Sequence, residues 1–355
     1  MLSETSKQFL RYSANPDQIF YAQRMRMSEG KMDGLDVIDV DNGGGLHFWV
    51  LPGRGLDIGR LSLNGKNISF LSKSGFTQAA HYDADGLNGM YTFAGGFMCT
   101  CGLRNSGDPS ESEGEQFGFH GRIGQTPAES ISIRRDLYAE RPSIQISGRI
   151  REACLSGSAL EITRTITVYY GENLIELEDH ITNFAATSEG YMLLYHFNLS
   201  YPFLTENARF VTTHTYEKPV DDNAKRRENV RDRFLPPEPG VPDNCFYYRQ
   251  ARDAEGRAYA ACVNPDADCG VMICSNPEEL PLLCNWHNWC AGDYAMGIEP
   301  CTCYGDGRGK HVERNQLVML EPYETHTYHL TVRFPDADAC RQLLGSDFQN
   351  IEVKL

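Results

Sequence analysis

The chain has 355 residues, 41% of them apolar and 11% aromatic, enough for one large β domain or two ordinary ones with a real core. A formal net charge of −15 and a pI near 5.1 speak against nucleic acid and anionic membrane surfaces, which both reward Lys and Arg, and leave a small molecule as the expected partner. No apolar run approaches the roughly 18 residues that span a bilayer, and the first residues lack the basic, apolar and small-residue order of a signal peptide, so a cytoplasmic protein is expected.

Taken from the N-terminus, helix is expected at residues 16–21, a turn at 77–83 and a second helix at 336–346; almost everything else reads as short strands. GLDVIDVDN and GLHFWVLP flank a turn at Asn42-Gly43-Gly44-Gly45. In LDIGRLSLNGKNISFLS, Asn64-Gly65 is a favoured type I′ hairpin turn between alternating runs. Further strands follow in ISIRRDLYA, SIQISGRIREAC, LEITRTITVYY, NLIELEDHITNF, YMLLYHFNL, CFYYRQARD, YAACVN, CGVMICS, LPLLCNWH, DYAMGIEP, NQLVMLEP and ETHTYHLTVRF. Many short strands at close spacing mean an all-β sandwich or barrel. Residues 106–116 and 217–233 read as solvated loops; the first directly precedes FGFHGR and is placed to cover a site. No repeat and no break in composition divides the chain, so one domain over residues 1–355 is expected.

Twelve cysteines in a reducing compartment should be free thiols, which pack as small hydrophobes. Cys99 and Cys101, like Cys301 and Cys303, are separated by one residue. Structural zinc pairs leave about two to four residues between ligands, so thiols packed side by side near the core are preferred to a metal site.

Four patches stand out as candidates for chemistry. Phe117-Gly118-Phe119-His120-Gly121-Arg122 places a His between glycines, where backbone can approach a ligand, with Arg122 beside it for a hydroxyl, carboxylate or phosphate; a turn His with an exposed Arg is the plainer alternative. In Tyr191–Leu199, period 2 puts Tyr195, Phe197 and Leu199 on one face and Leu194, His196 and Asn198 on the other, either a buried polar pair or the floor of a polar groove. Trp286-His287-Asn288-Trp289 precedes Gly297-Ile298-Glu299-Pro300. A carboxylate in apolar surroundings has a raised pKa and becomes a usable base near neutrality, and Trp286 offers a flat face to the C–H side of a sugar; an ion-paired Glu at a strand edge is the alternative. Arg54, between Gly53 and Gly55, reads as a bulge that aims a guanidinium at an anionic or hydroxyl-rich group, unless it pairs with Asp57. The Gly-rich GGFMCTCGLRN, which ends at Asn105, lacks the Lys-Ser/Thr ending of a phosphate loop.

Together LPGRGLDIGRL, FAGGFMCTCGLRNSG, FGFHGRI, ITNF with LLYHFNLSYPFL, and NWHNWCAGDYAMGIEPCT resemble the galactose-mutarotase-like superfamily, and within it the aldose 1-epimerase-related group of bacterial proteins. The resemblance runs from about Leu51 to about Cys303 and implies a large antiparallel β-sandwich. It assigns His120, His196 and Glu299 to catalysis; Arg54, Asp57, Arg122, Asn105, Asn198 and Trp286 are the residues expected to bind the substrate. The sequence departs from the established enzymes in two places: Gly121-Arg122 follows His120 where they have two glycines, and Phe197 directly follows His196, one residue short of their strand motif. No position stands out for their hydroxyl-holding Asp. The implied reaction is anomer interconversion, with Glu299 taking the proton of the anomeric hydroxyl, His196 protonating the ring oxygen and His120 sharing that proton or binding the adjacent hydroxyl. No metal or organic cofactor is required. A sugar-binding protein without catalysis is the rival reading. A third is an epimerase or isomerase of an acidic or keto sugar, for which the cue is Arg54 with Arg122. Sandwich edges leave room for a homodimer.

Overall fold

Period-2 alternation decides which face of each strand is buried, and here it builds two packed antiparallel sheets, one of twelve strands and one of eight. The computed structural model describes residues 1–345. Its architecture is the all-β sandwich expected of the short alternating strands.

The smaller sheet is a meander extended by later strands, in the order Glu129–Asp136, Ser143–Ala153, Ala159–Tyr169, Leu174–Asn183, Thr325–Arg333, Cys269–Ser275, Tyr259–Asn264 and Arg209–Thr212. Ile144, Ile146, Ile162, Ile166, Ile175 and Leu177 point from it into one core, where they meet Phe48, Ile58, Leu103, Leu193 and Phe197 of the larger sheet. Each such side chain contributes about 1.5–3 kcal/mol on burial, set against the conformational entropy of the ordered chain.

From its middle to one edge the larger sheet holds, side by side, Asp57–Leu63, Met98–Leu103, Glu189–Ser200, Ala295–Cys301, Leu282–Asn288, Asn244–Arg249 and, at the edge, Thr215–Pro219. Glu189–Ser200 is buried on both faces apart from its ends. Tyr195, Phe197 and Leu199 enter the core between the sheets, while Leu194 and His196 belong to the opposite face, as their alternation predicts. The hairpin at Asn64-Gly65 also forms: both residues have positive φ, 51° and 76°, and Leu63 pairs with Lys66.

Between the sheets lies a buried polar knot. Arg164 donates from Nε to Asp179 Oδ1 (2.9 Å) and from Nη1 to Asp57 Oδ1 (2.6 Å), and Tyr195 donates to Asp179 Oδ2 (2.8 Å). Thr100 donates to both oxygens of Asp57. Asp57 therefore serves the junction of the sheets, and its ion pair is with Arg164, not with Arg54. Arg54 is buried too, donating to Thr77 and to the carbonyl of Thr92 and held by Gln125. Its glycine-flanked turn aims the guanidinium inward at loop carbonyls.

Helix differs from expectation. Residues 16–21 supply only the 3₁₀ turn Pro16–Gln18 before a strand starts at Tyr21, whereas 77–83 hold the short turn Ala79–His81, as expected. The C-terminal helix is Ala337–Leu344; the expected end at Ser346 lies outside the described residues. Glu4–Leu10 and Asp222–Arg226 are helices that alternation does not reveal, each started by a side-chain cap, Ser3 and Asp221 respectively. Residues 106–116 include part of the hairpin of Ser110–Ser112 with Glu115–Phe117, and 217–233 contain the end of Thr215–Pro219 as well as the second of those helices. Both stretches read as loops because charge and Gly outweigh their few apolar residues. Among the described residues no helix is long and apolar enough to cross a membrane.

Candidate active site

The face of the larger sheet turned away from the core floors a cleft of about 930 Å³. Strand register places its residues. Cys284 lies opposite Glu299, and Tyr247 opposite Cys284, so the three share one face in a row across adjacent strands. On the other side of Glu299 the strand Glu189–Ser200 brings His196 to the same face, with Nε2 3.3 Å from Glu299 Oε1.

His120 arrives from a loop. Its backbone has φ +59° and is tied at both ends, His120 N–H to the Gly107 carbonyl (2.8 Å) and Gly102 N–H to the His120 carbonyl (3.0 Å). Gly121 is needed beside it: a Cβ there would come within 2.2 Å of the Gly102 carbonyl oxygen, and its φ is +72°. The loop is stitched by Asn105, whose Nδ2 donates to the carbonyls of Asp108 and Gly118 and whose Oδ1 accepts from Ser110 and the Arg308 N–H. The Gly107 N–H donates to His120 Nδ1 (3.2 Å). An accepting Nδ1 fixes the neutral tautomer with the proton on Nε2, so His120 is set as a hydrogen-bond donor. Its ring lies 5.6 Å from that of His196, with Phe93 and Phe119 around it.

The electrostatics follow from lost water. Burial pushes the Glu299 carboxyl up to about 8; a hydrogen bond from Cys284 opposes the rise and the nearby Asp243 charge adds to it. Burial likewise holds His120 down to about 4. His196 is held well below the ordinary imidazole range, first by burial and then by its neighbour His120, against a hydrogen bond with Asn198. Near neutrality His196 and Glu299 therefore hold one proton between them, and Glu299 Oε1 is buried with no hydrogen-bond partner. Such a pair can donate a proton at one atom of a ligand and accept one at another. Gly297 makes room for it, since a Cβ there would lie 2.3 Å from Glu299 Oε1 and 3.1 Å from His196 Cε1.

Trp286 walls the cleft: its ring is 5.6 Å from His196 and its Nε1 donates to Asp243 Oδ2 (2.8 Å). The structure thus brings His120, His196, Glu299 and Trp286 together. It does not bring Arg54, Asp57, Asn105, Arg122 or Asn198 to the cleft surface. The first two are used between and behind the sheets, and Asn105 holds the His120 loop. Asn198 is buried and donates to its neighbour's carbonyl, His196 O (2.9 Å). Arg122 is exposed, with Tyr82 and Glu152 as its electrostatic neighbours. Residues not singled out from the sequence also line the cleft, among them Asp243, Cys245, Tyr247, Cys284, Tyr304 and Lys218. Part of this was legible: period 2 puts Cys284, Trp286 and Asn288 on one face. Asp243 lies in a loop and has no periodic signal. Cys99, Cys101, Cys245, Cys284 and Cys301 are free thiols that pack with Leu194, Tyr247 and Tyr304 in one cluster, part of which lines the cleft floor, and among the described residues no three His, Cys, Asp or Glu converge to hold a metal ion.

A family model described as a domain of unknown function, DUF4432, matches residues 32–334. No curated protein matches the chain. Among solved structures, a presumed aldose 1-epimerase from Klebsiella pneumoniae superposes with a TM-score of 0.86 at 24% identity, covering 94% of this chain and 88% of that one. A galactose mutarotase-like protein from Clostridium acetobutylicum gives 0.61 at 12% identity, covering 90% and 99%. A galactose 1-epimerase from Lactobacillus acidophilus gives 0.56 at 12%, covering 89% and 99%. These likenesses carry the galactose mutarotase-like sandwich fold.

Proposed function

We propose that this chain, which belongs to the DUF4432 family, interconverts the anomers of a sugar by general acid/base ring opening. One observation supports the reading above the rest: a buried carboxyl with a free oxygen sits 3.3 Å from a neutral imidazole at the floor of an open cleft. When sugar binds, the shared proton passes to His196, leaving Glu299 as base. Glu299 takes the proton of the anomeric hydroxyl, His196 protonates the ring oxygen, and the ring opens to the aldehyde. Rotation about C1–C2 and reclosure on the other carbonyl face give the other anomer, with each proton returned. His120, donating from Nε2, holds the ring oxygen or its neighbouring hydroxyl; Trp286 carries the C–H face of the sugar. Asp243, beside Trp286, is placed for a hydroxyl. The reading as a carboxylate-handling isomerase through Arg54 and Arg122 loses its cue, because neither guanidinium reaches the cleft.

Each acid/base partner is worth about 10²–10⁴-fold in rate. Glu299→Gln is therefore expected to slow anomer exchange, followed by saturation-transfer NMR across a sugar panel, by at least about a hundredfold while the protein melts cooperatively. An unchanged rate on a sugar that the native protein accelerates removes Glu299 from the mechanism.

A further inference from the structure

Resting on that reading, we propose that the cleft extends from the His196–Glu299 pair into a second subsite formed by Tyr247, Tyr304 and Lys218, and that its ligand is an acidic saccharide of at least two rings. The reducing sugar lies over Glu299, and the next residue lies over Tyr304 with its carboxylate at Lys218.

Register carries the geometry. Glu299 faces Cys284, Cys284 faces Tyr247, and Tyr247 faces Lys218, so one straight row crosses four neighbouring strands on the cleft face. At about 4.8 Å per strand, Lys218 starts some 14 Å from Glu299. A single pyranose ring with its anomeric carbon at Glu299 falls well short of that; a second ring reaches it. The cleft, at about 930 Å³, has the room, lying near the upper end of the roughly 300–1,000 Å³ usual for small-molecule sites.

The far end is equipped for a sugar ring. Tyr304 packs edge-on against Tyr247 with ring centres 4.9 Å apart. Both are pinned, Tyr304 by donating to Glu217 (2.6 Å) and accepting from Arg249 (2.9 Å), Tyr247 by accepting from the Gly305 N–H (2.7 Å). Both rings line the cleft, with 8% of Tyr304 and 4% of Tyr247 exposed. Lys218 Nζ lies 4.0 Å from the Tyr304 ring centre, and no carboxylate among the described residues pairs with it. Nearby, Arg314 is paired with Asp306 (2.7 Å) and Lys310 acts electrostatically on Asp108. The lining as a whole is not cationic, since Asp221, Asp243 and Glu299 belong to it as well. The cue for an anion is local: the Lys218 ammonium, without a carboxylate partner among the described residues, is the group that would meet a carboxylate.

Calorimetric binding and anomer exchange are measured on the full chain with glucose, galactose, glucuronic acid, cellobiose, cellobiouronic acid and digalacturonic acid. An acidic disaccharide is expected to bind at least about tenfold tighter than any one-ring sugar, and Lys218→Ala to cut its preference over cellobiose about tenfold, as a charge-assisted contact would. Lys218→Arg should restore most of the preference. Tyr304→Ala, checked for folding by thermal melting, should weaken both kinds of disaccharide relative to one-ring sugars. If anomer exchange is accelerated but neither the second ring nor its charge matters, the subsite is overturned and the mutarotase reading stands. If acidic disaccharides bind through Lys218 without faster exchange, the subsite stands and mutarotation falls. Cellobiose bound as tightly as its acid overturns the carboxylate assignment, and no binding by any sugar overturns both.

Discussion

Gly297→Ala tests the site with one methyl group. Gly297 has no positive φ, so Ala can adopt its backbone conformation, and the cost falls on the neighbours. The added Cβ would lie 2.3 Å from Glu299 Oε1. Restoring ordinary contact requires the carboxyl to retreat by roughly 1 Å, and a displacement of that size at a reacting group costs about 10²-fold in rate. The methyl also meets His196 Cε1 and Trp286 Cβ at 3.1 Å, which the neighbours can absorb by small shifts. Overpacking of this kind costs about 1–3 kcal/mol of stability, too little to unfold a domain with a large core. The assay is saturation-transfer NMR of anomer exchange on whichever panel sugar the native protein accelerates, run beside urea unfolding of both proteins. A variant that exchanges anomers at the native rate would refute the placement of Glu299 and His196 as the reacting pair.

The remaining expectations concern protons and the core. Because burial raises Glu299 to about 8 and holds His196 well below the ordinary imidazole range, the single-proton state of the His196–Glu299 pair prevails near neutrality. Activity should therefore fall as pH rises through about 8, and a rate that keeps climbing beyond that point would contradict the shared proton. The same raised value means that folded Glu299 keeps its proton while the unfolded chain loses it, so this residue's contribution to stability is full below the ordinary 4.5 and lost on the way up to about 8. Thermal melting of native protein and Glu299→Gln across that window should show the native protein losing more. Arg164→Met strands Asp57 and Asp179 in the core without their guanidinium, and should cost about 3–5 kcal/mol by denaturant unfolding. A loss under about 1 kcal/mol would mean that the knot is not what joins the sheets there.

Alternation alone determines much of this protein. Runs such as LEITRTITVYY and YMLLYHFNL fix strand type and which face is buried, because side chains on a strand repeat every two residues whatever the partner strand. Asn64-Gly65 fixes its hairpin because few other residues tolerate two successive positive φ values. The same logic sends His196 to the face opposite Tyr195 and Phe197, and the motifs around His120, His196 and Glu299 mark these three as a set. What the sequence leaves open is pairing. Glu299 and Cys284 face each other only because their two strands became neighbours, and Lys218 joins the same row through two more pairings. Polar residues beside glycines are equally ambiguous: Arg54 and His120 both sit in such turns, yet one points at the carbonyls of Thr77 and Thr92 and the other into the cleft. Their roles are set by which loop packs against them, a long-range contact with no local signature. Local chemistry thus chose the strands and their faces, whereas tertiary packing chose which polar groups lose water and which meet a ligand.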